Sequence, residues 1–433
     1  MPDQNPAPAA PLVAKSGGCL RRILIAMGVL VILIVLGPAL ILWRAENVIS
    51  ERRPRWVADV TAERARCAAL RRPVLRGTPL DENAADREKA ILEALKSFEQ
   101  GSIPKLDDIV LGKPLTPALT AVLEKDRVQV AALREALRCT RCDWHYEYEK
   151  GPSAPIPSLT GARAVALLTV LEAYERAAAG DTRGAAERCV DLVRFARDLR
   201  SSGVYIISVI GSTVETMALH VLTKLAVTDL PGPFPYSETA ADLAKLDAAE
   251  PSPGEAAARS INSERLSMFA YGIMPRAEAG SDQDGTPLDR RLFGIWLPGY
   301  DDALASIAKA QAIDSKTERD AAMEAIRQRI EGTWNVFVRV MPSFAGARLD
   351  ELLAHRVILE TVLAIEQKKT DAGYPKDATG LDLPADPLAA SARLHYEGRP
   401  DGKGYKLSSV GPDPSNPPPP GSPNRFLVER GPG

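Results

Sequence analysis

The sequence predicts a mainly α-helical protein: an N-terminal transmembrane helix, an α-helical extracytoplasmic region, and a small C-terminal α+β unit with a β-hairpin. Three observations predict it. Residues 23–43 are a run of 21 positions without a charge. As a helix that run is roughly 31 Å long, about the thickness of a bilayer's hydrocarbon core. Much of the chain after it carries apolar residues at i, i+3 and i+4 spacing, punctuated by Gly and Pro. Near the C-terminus the period shortens to two on either side of a glycine-rich turn. The expected boundaries are 1–22 for a disordered cytoplasmic tail, 23–43 for the membrane helix, 44–345 for the helical region, and 346–433 for the last unit with its Pro-rich tail.

The first 18 residues are rich in Pro, Ala and Gly and lack apolar periodicity, so disorder is expected there. The uncharged run ends in Leu42-Trp43-Arg44, an interfacial anchor and not a peptidase site, so the segment is expected to stay uncleaved. Lys15, Arg21 and Arg22 precede it, and Arg44, Arg52, Arg53 and Arg55 follow it. With the flanks nearly balanced, Arg21-Arg22 at the border of a short tail favours a cytoplasmic N-terminus. Residues 47–70 are charged and helix-compatible, a stalk, until Pro73 and the Gly77-Thr78-Pro79 turn interrupt them. Asp81 or Asn83 can cap the next helix, in which Ile91, Leu92, Leu95 and Phe98 recur at helical spacing. After a loop over 101–117, a helix over 118–137 offers Leu119, Val122, Leu123, Val128, Val130 and Leu133 for burial.

Trp144, Tyr146 and Tyr148 alternate with His145, Glu147 and Glu149, a period of two that predicts a short extended segment before a linker at 152–157. Two strong helices, 161–178 and 182–199, meet at Gly180-Asp181, where Gly closes one and Asp caps the other. Residues 204–227 are mostly apolar but broken by Glu215, His220 and Lys224, which predicts a buried core helix and not a second span. Further helices are predicted at 238–249, 253–269, 301–313, 315–338 and 350–369, with a polar loop at 278–287. The last of these ends in Lys368-Lys369, favourable at the negative end of a helix dipole. Leu394/Tyr396 and Tyr405/Leu407 then flank an Asp401-to-Gly404 turn as two strands. The pattern at Gly180 to Ala186 does not recur at a spacing of about 34 residues, so no solenoid is predicted.

Hydrophobic content of 45% and charged content of 25% are ordinary for a globular chain. A net charge of −2 supplies no basic face for nucleic acid. The expected partners are the lipid bilayer and other envelope proteins. Cys19 precedes the apolar run, whereas a lipoprotein cleavage site would follow it, so Cys19 is read as a bystander thiol. Cys67, Cys139, Cys142 and Cys189 form an even set on the side expected to be oxidising. One or two disulfides are expected, with the pairing left open.

The sharpest local cluster is Cys139-x-x-Cys142 followed by His145. Two thiolates and an imidazole suit zinc, with Cys67 or Cys189 as a fourth ligand. A redox pair is the alternative, although its first Cys follows a helix and does not begin one. A disulfide or free thiols is the simpler reading, so no metal ligand and no cofactor is assigned. Glu215 is the best lone carboxylate, because burial raises a carboxyl pKa; the plainer reading is a core ion pair with an Arg such as Arg265. Glu147 and Glu149 on one face of an extended segment would lie about 7 Å apart, a spacing suited to glycoside hydrolysis, or else are solvated rim charges. His145, His220, His355 and His395 match no metal-binding spacing. No Gly-x-Ser-x-Gly elbow, phosphate loop or dinucleotide fingerprint occurs, and no catalytic residue is assigned.

Gly373-Tyr374-Pro375, Asp386-Pro387, the hairpin and Ser409-Val410-Gly411-Pro412-Asp413 follow a helix in that order, over roughly the last 75 residues. This stretch resembles the C-terminal part of the major pseudopilin of type II secretion. Tyr374 follows Gly373 directly, one residue closer than in the family. The family's processing motif, Gly-Phe-Thr-Leu-x-Glu, does not occur near Gly17 to Leu24. Asp413 is followed by Pro, Ser and Asn, without the carboxylates that help bind calcium in pseudopilins. The whole layout also resembles a group of uncharacterised bacterial single-pass membrane proteins, which implies a place in the inner membrane and no activity. The expectation is a membrane-anchored cell-envelope protein with a non-enzymatic binding or scaffold role. An accessory of a type II secretion or pilus-like machine is the first alternative, and a membrane-tethered hydrolase around Glu215 or 144–149 the second.

Overall fold

The structure, a computed structural model, describes residues 17–99, 101, 103–104, 106–273, 287–331, 336–370, 373–389, 392–409 and 427–431. Those residues are mainly helical, with a small antiparallel sheet near the C-terminus. The chain divides into two units, residues 1–54 with 282–298, and residues 55–281 with 299–433.

In the first unit lies most of helix α1 (Gly17–Ala69), which takes in the whole uncharged run. Within that run, Met27, Leu40, Ile41 and Trp43 are exposed by 52–63%.

In the second unit, the end of α1 is not the free stalk its charge suggests. Trp56 stacks on Phe269 of α8 (Pro253–Ile273) with ring centroids 4.1 Å apart. Beside it Arg265 pairs with Asp59 at 3.1 Å. Two short parallel strands follow, β1 (Leu80–Asn83) and β2 (Cys139–Arg141). Between them run α2 (Ala84–Ala94), bearing buried Ile91 and Leu92, and α3 (Pro117–Ala136), capped by Thr116. Val128 on α3 is 67% exposed, so the apolar stripe expected there is one residue narrower. The extended segment predicted from Cys142 onward is not a strand. Pairing ends at Arg141, His145 takes a positive φ of 49°, and Tyr148–Ser153 forms a 3-10 turn. Of its aromatics, Trp144 bonds to the Asp198 carbonyl of the later helix at 182–200, while Tyr146 and Tyr148 pack together against α8.

Helices α4 (Leu159–Ala178) and α5 (Thr182–Arg200) form the predicted hairpin. Gly180 turns at φ 83°, and Asp181 accepts a hydrogen bond from the Gly184 N–H at 2.9 Å. The chain continues in α6 (Tyr205–Val227) and α7 (Tyr236–Ala248). Of the described helices, α6 is apolar enough by length and composition to cross a membrane, yet 56% of its most apolar window is buried among other helices. Val214, Ala218, Leu222 and Leu225 belong to the main core. Helices α9 (Pro287–Gln311), α10 (Lys316–Ile330) and α11 (Val336–Gln367) complete the set. The helix expected to reach 338 stops at Ile330, and the one expected from 350 already begins at Val336. Most of the predicted loop at 278–287, and Asp413, lie outside the described residues.

The predicted hairpin is present. β3 (His395–Gly398) pairs with β4 (Tyr405–Ser408), with Tyr396 opposite Leu407. A third strand, β5 (Leu427–Arg430), adds to the far side of β4 beyond the Pro-rich stretch. Tyr396, Tyr405 and Leu407 share one buried core with α4, α5, α6 and α11. Glu366 of α11 accepts hydrogen bonds from the hydroxyls of Tyr236, Tyr374 and Tyr405 at 3.2, 2.9 and 3.0 Å. One carboxylate thereby ties α7, α11 and the sheet together.

Candidate functional site

Helix α5 is the most charged helix in the core. Arg188, Asp191, Arg194, Arg197, Asp198 and Arg200 are all buried, because α4, α6 and α7 cover α5 on most sides. Buried ions are tolerated only when each finds partners, and most of these do. Asp198 takes Arg72 at 2.8 Å and Arg194 at 3.1 Å. Arg72 also pairs with Glu250. Glu215 of α6 is held by Arg197 at 3.0 Å and Arg200 at 2.9 Å. Arg197 further bridges to Asp247, which Arg356 of α11 also reaches. The layer links the segment after α1 with α5, α6, α7 and α11.

This geometry revises the reading of Glu215. Its partners are Arg197 and Arg200, whereas Arg265 is bound to Asp59 and Asp301. Burial alone would raise its pKa, but the two arginines outweigh burial and hold the carboxyl below its ordinary value. It is a fixed anion and not a proton donor near neutral pH.

The carboxyl that behaves as a buried acid is Glu88 of α2, which sequence reasoning missed. It is fully buried, and burial together with the nearby Asp198 carboxylate pushes its pKa well above the usual range. Glu88, Cys142 and Asp198 bring their ligand atoms within 4.8 Å of one another. A divalent cation there would also face Arg72 and Arg194, whose charges already neutralise Asp198. The arrangement fits a Glu88 carboxyl that keeps its proton better than a metal. The sequence signal was a Glu on the same helical face as Ile91, Leu92 and Leu95, at i, i+3, i+4 and i+7.

The expected cysteine pairs are not formed: Cys67, Cys139, Cys142 and Cys189 are free thiols. Cys139 and Cys142 pack against Ala84 and Ala85, while Cys189 lies inside the main core. Cys142 sits beneath Ser201, whose Oγ is 3.6 Å from its sulfur. Burial pushes the Cys67 thiol up to about 11 and raises those of Cys142 and Cys189. Protonated thiols are poor metal ligands and poor nucleophiles. His145 is exposed and meets Asp143 at 3.4 Å and Asn83 at 3.2 Å. Glu147 and Glu149 do not lie on an extended strand; they pair with Lys150 and Arg64. Of the four histidines, His220 and His355 do meet, ring edge to face at 5.6 Å.

The cavities among the described residues include two that are roomy and polar. One, of about 300 Å³, is lined by Cys67, Asp143, Trp144, His145, Ser201 and Ser202 among others. The other, of about 420 Å³, opens between α3, α5 and the segment before β1. Its walls carry Arg76, Arg134, Arg138, Arg188 and Arg194 against only Glu135 and Asp191. Searches of family models, curated proteins and solved structures returned no match to this chain.

Proposed function

We propose that the chain is a single-pass, membrane-anchored cell-envelope protein whose helical body serves as a non-enzymatic binding component outside the cytoplasm. The observation that carries this reading is the run of 21 uncharged residues inside α1, with Met27, Leu40, Ile41 and Trp43 exposed. An uncharged apolar run of that length is stable in lipid and costly to expose to water. Glu215 is held as an anion by Arg197 and Arg200, and burial raises the Cys67 and Cys142 thiols, so these three groups favour binding over catalysis. Fractionation and reporter fusions test the placement. The protein should resist alkaline carbonate extraction from membranes, and a C-terminal alkaline phosphatase fusion should be active. A freely soluble chain, or a fusion active only as a cytosolic reporter, refutes the reading.

A second reading, an accessory of a type II secretion or pilus-like machine, is favoured by one local feature. Ser409 donates to both oxygens of Asp386 at 2.9 and 2.8 Å, and the Leu388 N–H donates to Asp386 at 2.8 Å. Two positions shared with the pseudopilin pattern thus close the loop under the hairpin. Co-purification with secretion components, and loss of secretion on deletion, would support it; normal secretion in a deletion strain would exclude it.

A further inference from the structure

The cavity between α3 and α5 has a chemistry that neither the fold nor the ionic layer uses up. Five arginines and two carboxylates line it. Three of the five are already engaged. Arg76 pairs with Glu187, Asp191 and Asp242, Arg138 with Glu135, and Arg194 with Asp198. Arg134 and Arg188 differ. Among the described residues no ion pair or hydrogen bond engages Arg134, which is half-buried on α3. Arg188 is 5% exposed, and its Nε and Nη1 have no hydrogen-bond partner. Its anions are Asp191 at 3.2 Å and, more distantly, Glu187 at 3.9 Å, and Arg76 shares both, at 3.1 and 3.4 Å. Burial lowers the pKa of Arg188, and Arg134 is among the neighbours that lower it further.

Two guanidiniums held close in a concave, partly dry site repel one another unless an anion lies between them. Their planar N–H forks match the oxygens of a phosphoryl group, which offers three acceptors where a carboxylate offers two. A cavity of about 420 Å³ falls in the size range of small-molecule sites. We infer that this cavity binds a phosphoryl-bearing ligand, with Arg188 at its base and Arg134 at its mouth as the recognition groups. The inference deepens the binding reading above, but it stands whether or not α1 lies in a bilayer.

The test is calorimetric titration of the full-length protein in neutral detergent with inorganic pyrophosphate, sn-glycerol 3-phosphate and citrate. A parallel arm measures capture by nanodiscs with and without phosphatidylglycerol, using the same protein. Saturable binding of either phosphate is expected, weakening as salt rises, with citrate weaker than both. Arg134→Ala should weaken binding on the order of tenfold, the equivalent of one charge-assisted hydrogen bond. Arg188→Gln should weaken it at least as much, checked by a thermal melt that shows the variant folded. Preference for phosphatidylglycerol nanodiscs that both variants abolish would identify a lipid headgroup as the phosphoryl source. Absence of phosphate binding in both arms, binding unaffected by Arg134→Ala, or citrate binding as tightly as phosphate would overturn the inference. Because the titration needs no membrane, its failure is separate from any failure of the anchoring experiments.

Discussion

Glu88 and Glu215 show two opposite fates for a buried carboxyl. Glu215 faces two arginines and stays charged; Glu88 faces Asp198 and keeps its proton. The consequences for stability have opposite signs. A folded pKa above the unfolded value, about 4.3 for Glu, favours the fold below that value and loses the advantage as pH rises toward the folded pKa. Glu88→Gln keeps the shape and a donor toward Asp198 while removing the ionisation. The variant is therefore expected to melt at a higher temperature than the parent at pH 7 to 8, with the gap closing as pH falls toward about 4, the ordinary Glu value. Melting curves across that range check it, and a gap that widens toward acid would refute the assignment. The sequence pattern placed Glu215 on a helix that can be buried and passed over Glu88. It did not say which other charges would meet them, because those partners come from positions 72, 194, 197, 198 and 200.

Individual helices were the most legible part of the chain, since caps and breakers act within a few residues. Asp181, with Gly180 before it, forms the N-cap that its residue type implies. Asp181→Ala should cost about 1 kcal/mol of stability. Helix contacts are a different matter. A Cβ added at Gly161 of α4 would lie 2.1 Å from the Leu92 carbonyl oxygen, so the two backbones touch there. Gly161→Ala should force α2 away from α4 and cost about 1–3 kcal/mol, despite a better intrinsic helix former. Guanidinium chloride unfolding of both variants measures these losses, and an unchanged midpoint for Gly161→Ala would contradict the close crossing. Element boundaries failed where tertiary contact overrode local pattern. The aromatic alternation at 144–148 imitates a strand, but its side chains serve separate helices: Trp144 donates to the Asp198 carbonyl of α5 at 2.8 Å, Tyr146 meets Ser267 of α8 at 3.0 Å, and Tyr148 packs on α1 and α8. β5 escaped notice because four residues after a Pro-rich stretch make a strand only when β4 offers an edge.

Across the second unit, the ionic layer acts as a register device. Arg197 contacts Glu215 of α6 and Asp247 of α7, and Asp247 in turn meets Arg356 of α11. Sliding any of these helices by one turn would strand a charge away from water. Glu215→Ala leaves Arg197 and Arg200 without their shared anion and should cost about 3–5 kcal/mol, the scale for breaking a buried pair from one side. Replacing the triad together, Glu215→Leu with Arg197→Met and Arg200→Met, should cost less than that single change, and thermal melts of the full-length variants decide it. A larger loss in the triple variant would mean that the charges stabilise the fold outright.

What could be read without coordinates depended on neighbours along the chain: the uncharged 23–43 run, the Gly180-Asp181 turn, the Tyr396/Leu407 hairpin and the apolar faces of the helices. Periodicity and capping are local, so they survive in the residue order. What needed the folded molecule was everything set by residues far apart: free thiols in place of disulfides, arginines around Glu215, a raised pKa at Glu88, and a cleft lined by Arg134 and Arg188 together. A charged residue looks alike in a sequence whether it faces solvent or core. Only the packing of other helices over α5 turned its surface-like pattern of Arg and Asp into the protein's interior.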